Sequence, residues 1–251
     1  MTLPLHWQHL VAVHVQECSG VNDGFLLQLL SHARALCSLS VVACEGVTAG
    51  GFASIVCTRL CQLEIVQCAN VEPDDVMDAS ARVIGGSLAA FNLSRGCLGV
   101  LQLNHLHFIT VLVIDFCYGV TQAAAEAVVD ECCSIRLLSA AGVAAFGCCD
   151  VLLRLHELPL VRARLTCNSD LNTWVCVASF ALCARGLQSL VMFVSGDDDD
   201  DDDDERLLHQ PKVVDGAGAE ECARAAASCL RMRGGSLETI VWSDTRDSWR
   251  L

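Results

Sequence analysis

The chain contains one lysine, Lys212, and its fifteen arginines form no basic stripe. Phosphate contacts need clustered Lys and Arg, so direct nucleic-acid binding is not expected. No run of 18 or more residues is free of charged or strongly polar side chains, which leaves no segment suited to insert in a membrane as a helix. The opening residues, MTLPLHWQHL, lack a basic stretch and a long apolar stretch, the marks of secretory or transit signals. An intracellular protein follows, in the cytoplasm, the nucleus or an organelle.

Seventeen cysteines are present, yet no two are spaced Cys-x-x-Cys. The nearest pairs are Cys57/Cys61, Cys132/Cys133 and Cys148/Cys149, none with structural-zinc spacing. With an odd count and no secretory signal, a disulfide framework is not expected either. Gly-x-x-x-x-Gly-Lys, Gly-x-Gly-x-x-Gly, Gly-x-Ser-x-Gly and His-Glu-x-x-His are all missing. His105 and His107 flank Leu106 and read as a pair in a loop or strand. Gly-Gly pairs at 50–51, 85–86 and 234–235 fall near expected helix ends, where glycine is ordinary. No enzyme, cofactor or metal is therefore expected.

What the sequence does have is a repeat. The chain is 251 residues long, 53% hydrophobic, with a mean hydropathy of +0.45. An apolar residue is followed three and five residues later by two more. A cysteine comes three residues after that, then Val and Asn or Thr. The pattern reads Leu10, Val13, Val15, Cys18, Val21, Asn22, and returns as Leu36, Leu39, Val41, Cys44, Val47, Thr48. Further copies are Leu60, Leu63, Ile65, Cys68, Val71 and Ile109, Leu112, Ile114, Cys117, Val120, Thr121. A looser copy is Cys132, Ile135, Leu137, Ala140, Val143; Leu88, Phe91, Leu93 keeps the triplet, with Cys97 one position late. Leu155, Leu158, Leu160, then Leu187, Leu190, Met192, then Leu237, Ile240, Trp242 complete the series. The starts at 10, 36, 60, 88, 109, 132, 155, 187 and 237 are separated by 26, 24, 28, 21, 23, 23, 32 and 50 residues. A fixed period of this size marks stacked repeats sharing one core.

Each part of the pattern has a physical reading. Alternate side chains of a strand point to opposite faces, so the second and third apolar positions are buried together. The cysteine suits a small buried position and can donate a weak hydrogen bond to the turn. Asn22, Thr48 and Thr121 are candidate helix caps, with Val21, Val47 and Val120 as hydrophobic staples. Pro73 suits a first helical position. Helices are expected over 25–34, 52–59, 76–84 and 122–131.

The motif Leu-x-x-Leu-x-Val-x-x-Cys-x-x-Val-Thr at 36–48 resembles the cysteine-containing subfamily of leucine-rich repeats, found in the repeat domain of F-box proteins; 109–121 nearly repeats it. The resemblance implies an α/β fold: a curved leucine-rich-repeat solenoid, a horseshoe with parallel strands on the concave face and helices on the convex face. It implies a non-catalytic protein–protein interaction scaffold or adaptor, or a subunit of a larger assembly. The alternative is the substrate-recognition module of a ubiquitin ligase complex. Nine residues precede Leu10, too few for an F-box, which would then be absent or on another chain. The expected organisation is an N-terminal cap (1–9), a solenoid (10–196), an acidic disordered loop (197–205), and a final repeat with C-terminal cap (206–251).

The loop consists of Asp197, Asp198, Asp199, Asp200, Asp201, Asp202, Asp203, Asp204 and Glu205. It holds nine of the fourteen net negative charges. Nine adjacent acids repel and stay solvated, which fits a surface insertion or a lure for a basic partner.

Outward strand positions would line the concave face. They read His14 and Gln16, Ser38 and Ser40, Gln62 and Glu64, Asn92 and Ser94, all small or polar. From the fifth copy they become apolar with isolated charges: Val111, Val113, Asp115, Arg136, Leu138, Val161, Val191, Phe193 and Val241. A protein partner is expected over Val113, Asp115, Arg136, Leu138, Val161, Val191 and Phe193, because contiguous apolar surface marks interfaces and Arg and aromatics anchor them. At the ends, Trp7 and its neighbours and the segment from Trp242 to Trp249 are expected to act as caps.

Overall fold

The computed structural model describes residues 7–52, 59–68, 70–71, 88–94, 108–117, 119–168, 170–195 and 217–242. The acidic tract, Pro73, the expected helix at 76–84, most of that at 52–59, Cys57, Cys97, His105, His107, Gly85, Gly86 and Trp249 lie outside them.

The strands are β1 (Ala12–Gln16), β2 (Ser38–Val42), β3 (Gln62–Val66), β4 (Ala90–Ser94), β5 (Val111–Val113), β6 (Leu137–Ala140), β7 (Arg162–Asn168), β8 (Ser189–Ser195) and β9 (Ser236–Trp242). All pair parallel, in chain order, in one nine-stranded sheet. Among the described residues, the helices are α1 (Asp23–His32), α2 (Gln122–Glu131), α3 (Cys149–Arg154), α4 (Leu171–Cys183) and α5 (Ala217–Arg231). They follow β1, β5, β6, β7 and β8. The chain is therefore α/β, with a single parallel sheet alternating with helices.

The apolar triplet builds the core as its spacing requires. Leu39, Leu63, Phe91, Leu112, Leu138, Ala163 and Leu190 occupy one register row and are all buried. Two positions on, Val41, Ile65 and Leu93 form a second buried row, as do Ala140, Leu165 and Met192. The leading residues Leu36, Leu60, Leu88, Ile109, Ile135, Leu160 and Leu187 complete the layer beneath the helices. Burying each such side chain contributes roughly 1.5–3 kcal/mol. In β1, the edge strand, Val13 and Val15 are only half-buried.

This register moves three starts. Leu138 lies opposite Leu112, so the sixth copy begins at Ile135 rather than Cys132. Ala163 lies opposite Leu138, so the seventh begins at Leu160 rather than Leu155. Leu237 lies opposite Leu190, which starts the ninth at Gly234. The intervals become 26, 24, 28, 21, 26, 25, 27 and 47. The earlier triplets at these places were decoys. Cys132 caps the end of α2, while Leu155 and Leu158 are buried at a 3-10 turn before β7.

A left-handed residue closes each of several strands. Glu17, Ala43, Gln67 and Phe116 have φ of 51, 51, 57 and 58°, and Gly142 takes the same repeat position at 72°. The amides of Glu17, Ala43 and Gln67 donate to Val42, Val66 and Ser94 carbonyls at 2.9, 2.8 and 3.2 Å, so the turn stitches neighbouring repeats. At Gly142 a Cβ would lie 2.3 Å from the Phe116 ring, so only glycine fits beneath it. The cysteine follows this turn. Cys44, Cys68 and Cys117 are buried, and the thiols of Cys68 and Cys117 donate to Val41 and Leu93 carbonyls of the preceding repeat at 3.7 and 3.0 Å.

Helix starts follow the expected chemistry. The Asn22 side chain accepts from the Phe25 amide at 3.1 Å and that of Thr121 from Ala124 at 3.2 Å. Thr48 differs: its hydroxyl accepts from Gly50 over a 3-10 turn, Ala49–Phe52, and donates to Asp23 at 2.6 Å. Asp170 caps α4, which the repeat pattern had not singled out; its carboxylate accepts from the Thr173 amide and hydroxyl at 2.9 and 2.6 Å. These bonds hold the Asp170 carboxyl below its ordinary range. At the front, Trp7 packs edge-on to Phe25 with centroids 5.7 Å apart.

Candidate functional site: the open face of the sheet

With helices over one face, the other face carries every second side chain of each strand. It holds two hydrogen-bonded relays. The first runs across β1 to β4. Ser40 donates to Glu64 Oε2 at 2.5 Å, so it accepts from His14 Nδ1, which lies 2.9 Å away and must carry the proton. Asn92 donates to Glu64 Oε1 at 2.8 Å, and Ser94 to Asn92 Oδ1 at 2.8 Å. Cross-strand register explains the chain: His14, Ser40, Glu64 and Asn92 are direct neighbours on successive strands. Beside it, Ser38, Ser40, Gln62, Glu64, Ala90, Asn92 and Val111 line an open, shallow hollow of about 170 Å³. Small-molecule pockets enclose roughly 300–1,000 Å³, so this hollow is smaller than such a pocket.

The second relay centres on Asp115, a buried carboxylate just after β5. Ser139 donates to its Oδ1 at 2.6 Å and the Ala141 amide to the same oxygen at 2.9 Å. Arg164 donates to Oδ2 at 3.3 Å and also lies over the Phe193 ring, 5.4 Å from its centroid. Thr166 accepts from the Gly142 amide at 2.6 Å. The two relays are separated by half-buried Val111 and Val113.

Of the partner-binding residues expected from the sequence, Val113, Val191 and Phe193 do lie half-buried on the open face. Asp115 lies there too, but as a buried tie between strands. Leu138 does not belong to it: it is fully buried in the core row, because the sixth strand sits three residues along from the assumed frame, and an odd shift turns every side chain to the other face. Arg136 and Val161 precede β6 and β7 at the sheet's rim, where their carbonyls serve the next strand. The open-face places assigned to them belong to Leu137 and Ser139, and to Arg162 and Arg164. Starting the seventh copy at Leu160 would have found both arginines. Val241 falls in β9, whose side chains lie outside the described residues.

Several of the described cysteines are buried and so offer little reactivity. None of the described ones forms a disulfide. Burial pushes the Cys132 and Cys167 thiols up to about 12 and Cys176 to about 11, keeping them protonated at neutral pH. Among the described residues no three His, Cys, Asp or Glu side chains gather as a metal site, and no helix is long and apolar enough to cross a membrane. Comparison of the chain with protein-family models and with curated proteins finds no match.

Proposed function

We propose that this chain is a non-catalytic protein-interaction scaffold of the leucine-rich-repeat type, a curved solenoid holding a partner protein along its concave face. That concave face is the open face described above. The observation that carries the reading is the character of this face. Strands β1 to β8, in chain order, present a row of outward side chains, and fixed relays hold many of them in place. Such preorganised side chains lose little freedom on binding, which favours recognition of another surface. The hollow is too shallow to enclose a small substrate, and the buried thiols are poor nucleophiles.

The test is affinity purification from the native cell with mass spectrometry. It compares wild type with Val191→Asp plus Phe193→Asp, and with deletion of residues 197–205. Loss of a defined partner in the double variant, with circular dichroism unchanged, supports the concave-face reading. Loss only in the deletion moves recognition to the acidic tract and a basic partner. An unchanged partner set in both variants overturns the reading in favour of the helices or sheet edges.

A further inference from the structure

The least explained charges on the open face are the two arginines of β7. The chain carries a net charge of −14, yet Arg162 and Arg164 point out side by side on one strand. Arg162 is exposed and has no ion-pair partner among the described residues. Arg136, exposed at the rim, has none either, and its carbonyl accepts the Arg162 amide at 3.0 Å, so the three sit in adjoining repeats. Arg164 is half-exposed but already oriented, held by Asp115 on one side and stacked on Phe193 on the other. Three arginines, Arg136, Arg162 and Arg164, stand against the single carboxylate of Asp115, which leaves the cluster with more positive than negative charge. Glu238 of β9 stands at the register position beside Val191, one strand further out.

We propose that the β5–β8 half of this face binds an extended acidic segment of a partner protein. Carboxylates at alternate positions would meet Arg162 and Arg164, and an apolar side chain would rest against Val191 and Phe193. The inference builds on the scaffold reading and adds the partner's chemistry. Alternate residues of an extended chain lie about 6.6–6.8 Å apart, the same spacing as Arg162 and Arg164 on their strand. A guanidinium can donate two parallel bonds to a carboxylate, and Arg164 donates only one to Asp115. Phe193 lies opposite Thr166, the next outward position beyond Arg164, so the apolar anchor falls two residues past the second carboxylate.

The probes are fluorescein-labelled Glu-Ser-Glu-Ser-Phe and its reverse, Phe-Ser-Glu-Ser-Glu, titrated with the full chain and read by fluorescence anisotropy. Lys-Ser-Lys-Ser-Phe and a short oligothymidylate serve as controls. At least one acidic peptide is expected to bind, more weakly as salt rises. Arg162→Gln should weaken it about tenfold, a change of about 1.4 kcal/mol. Arg162 makes no side-chain bond among the described residues, so this variant should fold normally; Arg224→Gln on α5 should bind like wild type. Absence of binding, equal binding of either control, or an unchanged affinity in Arg162→Gln would overturn the proposal. If the peptides fail while Val191→Asp plus Phe193→Asp still removes a defined partner, only the acidic chemistry falls. If both fail, the scaffold reading falls with it.

Discussion

Across β1 to β4 the outward side chains close on one another, from His14 through Ser40, Glu64 and Asn92 to Ser94. From β5 to β8 the same backbone spacing carries a buried carboxylate, two arginines and half-buried Val and Phe, and some of that chemistry is left over. Both halves share the same core rows and strand pairing, so the scaffold does not dictate the surface. One half spends its polar groups on itself, while the other leaves Arg136 and Arg162 without ion-pair partners among the described residues.

The strongest way to break this comparison is to attack the shared part. Leu63→Ala and Leu138→Ala remove equivalent, fully buried side chains from the two halves. Each should cost about 2–5 kcal/mol in denaturant unfolding. A cost well under 1 kcal/mol for Leu138→Ala would mean that it faces outward and that the register is wrong. Next comes the difference between the relays. Asp115→Ala strips the partner from a buried hydroxyl, an amide and a guanidinium, and should cost about 2–3 kcal/mol. Glu64→Gln, at a half-buried position with both neighbours able to rebond, should cost about 1 kcal/mol or less. Equal costs would erase the distinction between a tie and a surface.

A smaller effect tests the helix cap that Asp170 supplies in the second half. Asp170→Ala should lower stability by about 1 kcal/mol at neutral pH. Because Thr173 lowers the Asp170 pKa in the folded state, the cap's contribution is present above the unfolded value, about 3.9, and is lost as pH falls through the folded one. Asp170→Asn should keep most of the neutral-pH stability and lose that acid dependence. The smallest effect belongs to the first half. Ala43→Gly relieves a left-handed φ of 51° and should raise stability by about 0.5–1 kcal/mol, read as a higher unfolding midpoint.

Much of the fold was legible because its signal is local. The triplets at Leu36, Leu60, Leu88, Ile109 and Leu187 need only spacings of three and five, and the strands form where those spacings lie. Helix α2 spans the same residues, 122–131, that its apolar pattern and Thr121 indicate. The frame slipped where apolar residues were too plentiful: Leu137 and Leu138 both satisfy a triplet, and only pairing with Leu112 decides between them. The site was less legible for a different reason. Asp115, Ser139 and Arg164 are separated by 24 and 25 residues, and nothing local says that they meet. The left-handed turns were hidden too, since Glu17, Ala43, Gln67 and Phe116 share a place in the repeat but no side-chain character.

Every strand pairs only with the strands before and after it in the chain, and that order bears on how the molecule assembles. Parallel sheets are usually slow to form because their partners are distant in sequence. Here most partners lie 21–28 residues apart, and the cost of closing such loops changes little from one to the next. Nucleation can begin at any adjacent pair and grow outward, one repeat at a time. The same logic runs in reverse on opening. β1, with one neighbour and half-buried valines, should surrender its amide protons first, and β5 to β7 should hold theirs longest, so exchange rates would record distance from the end of the array.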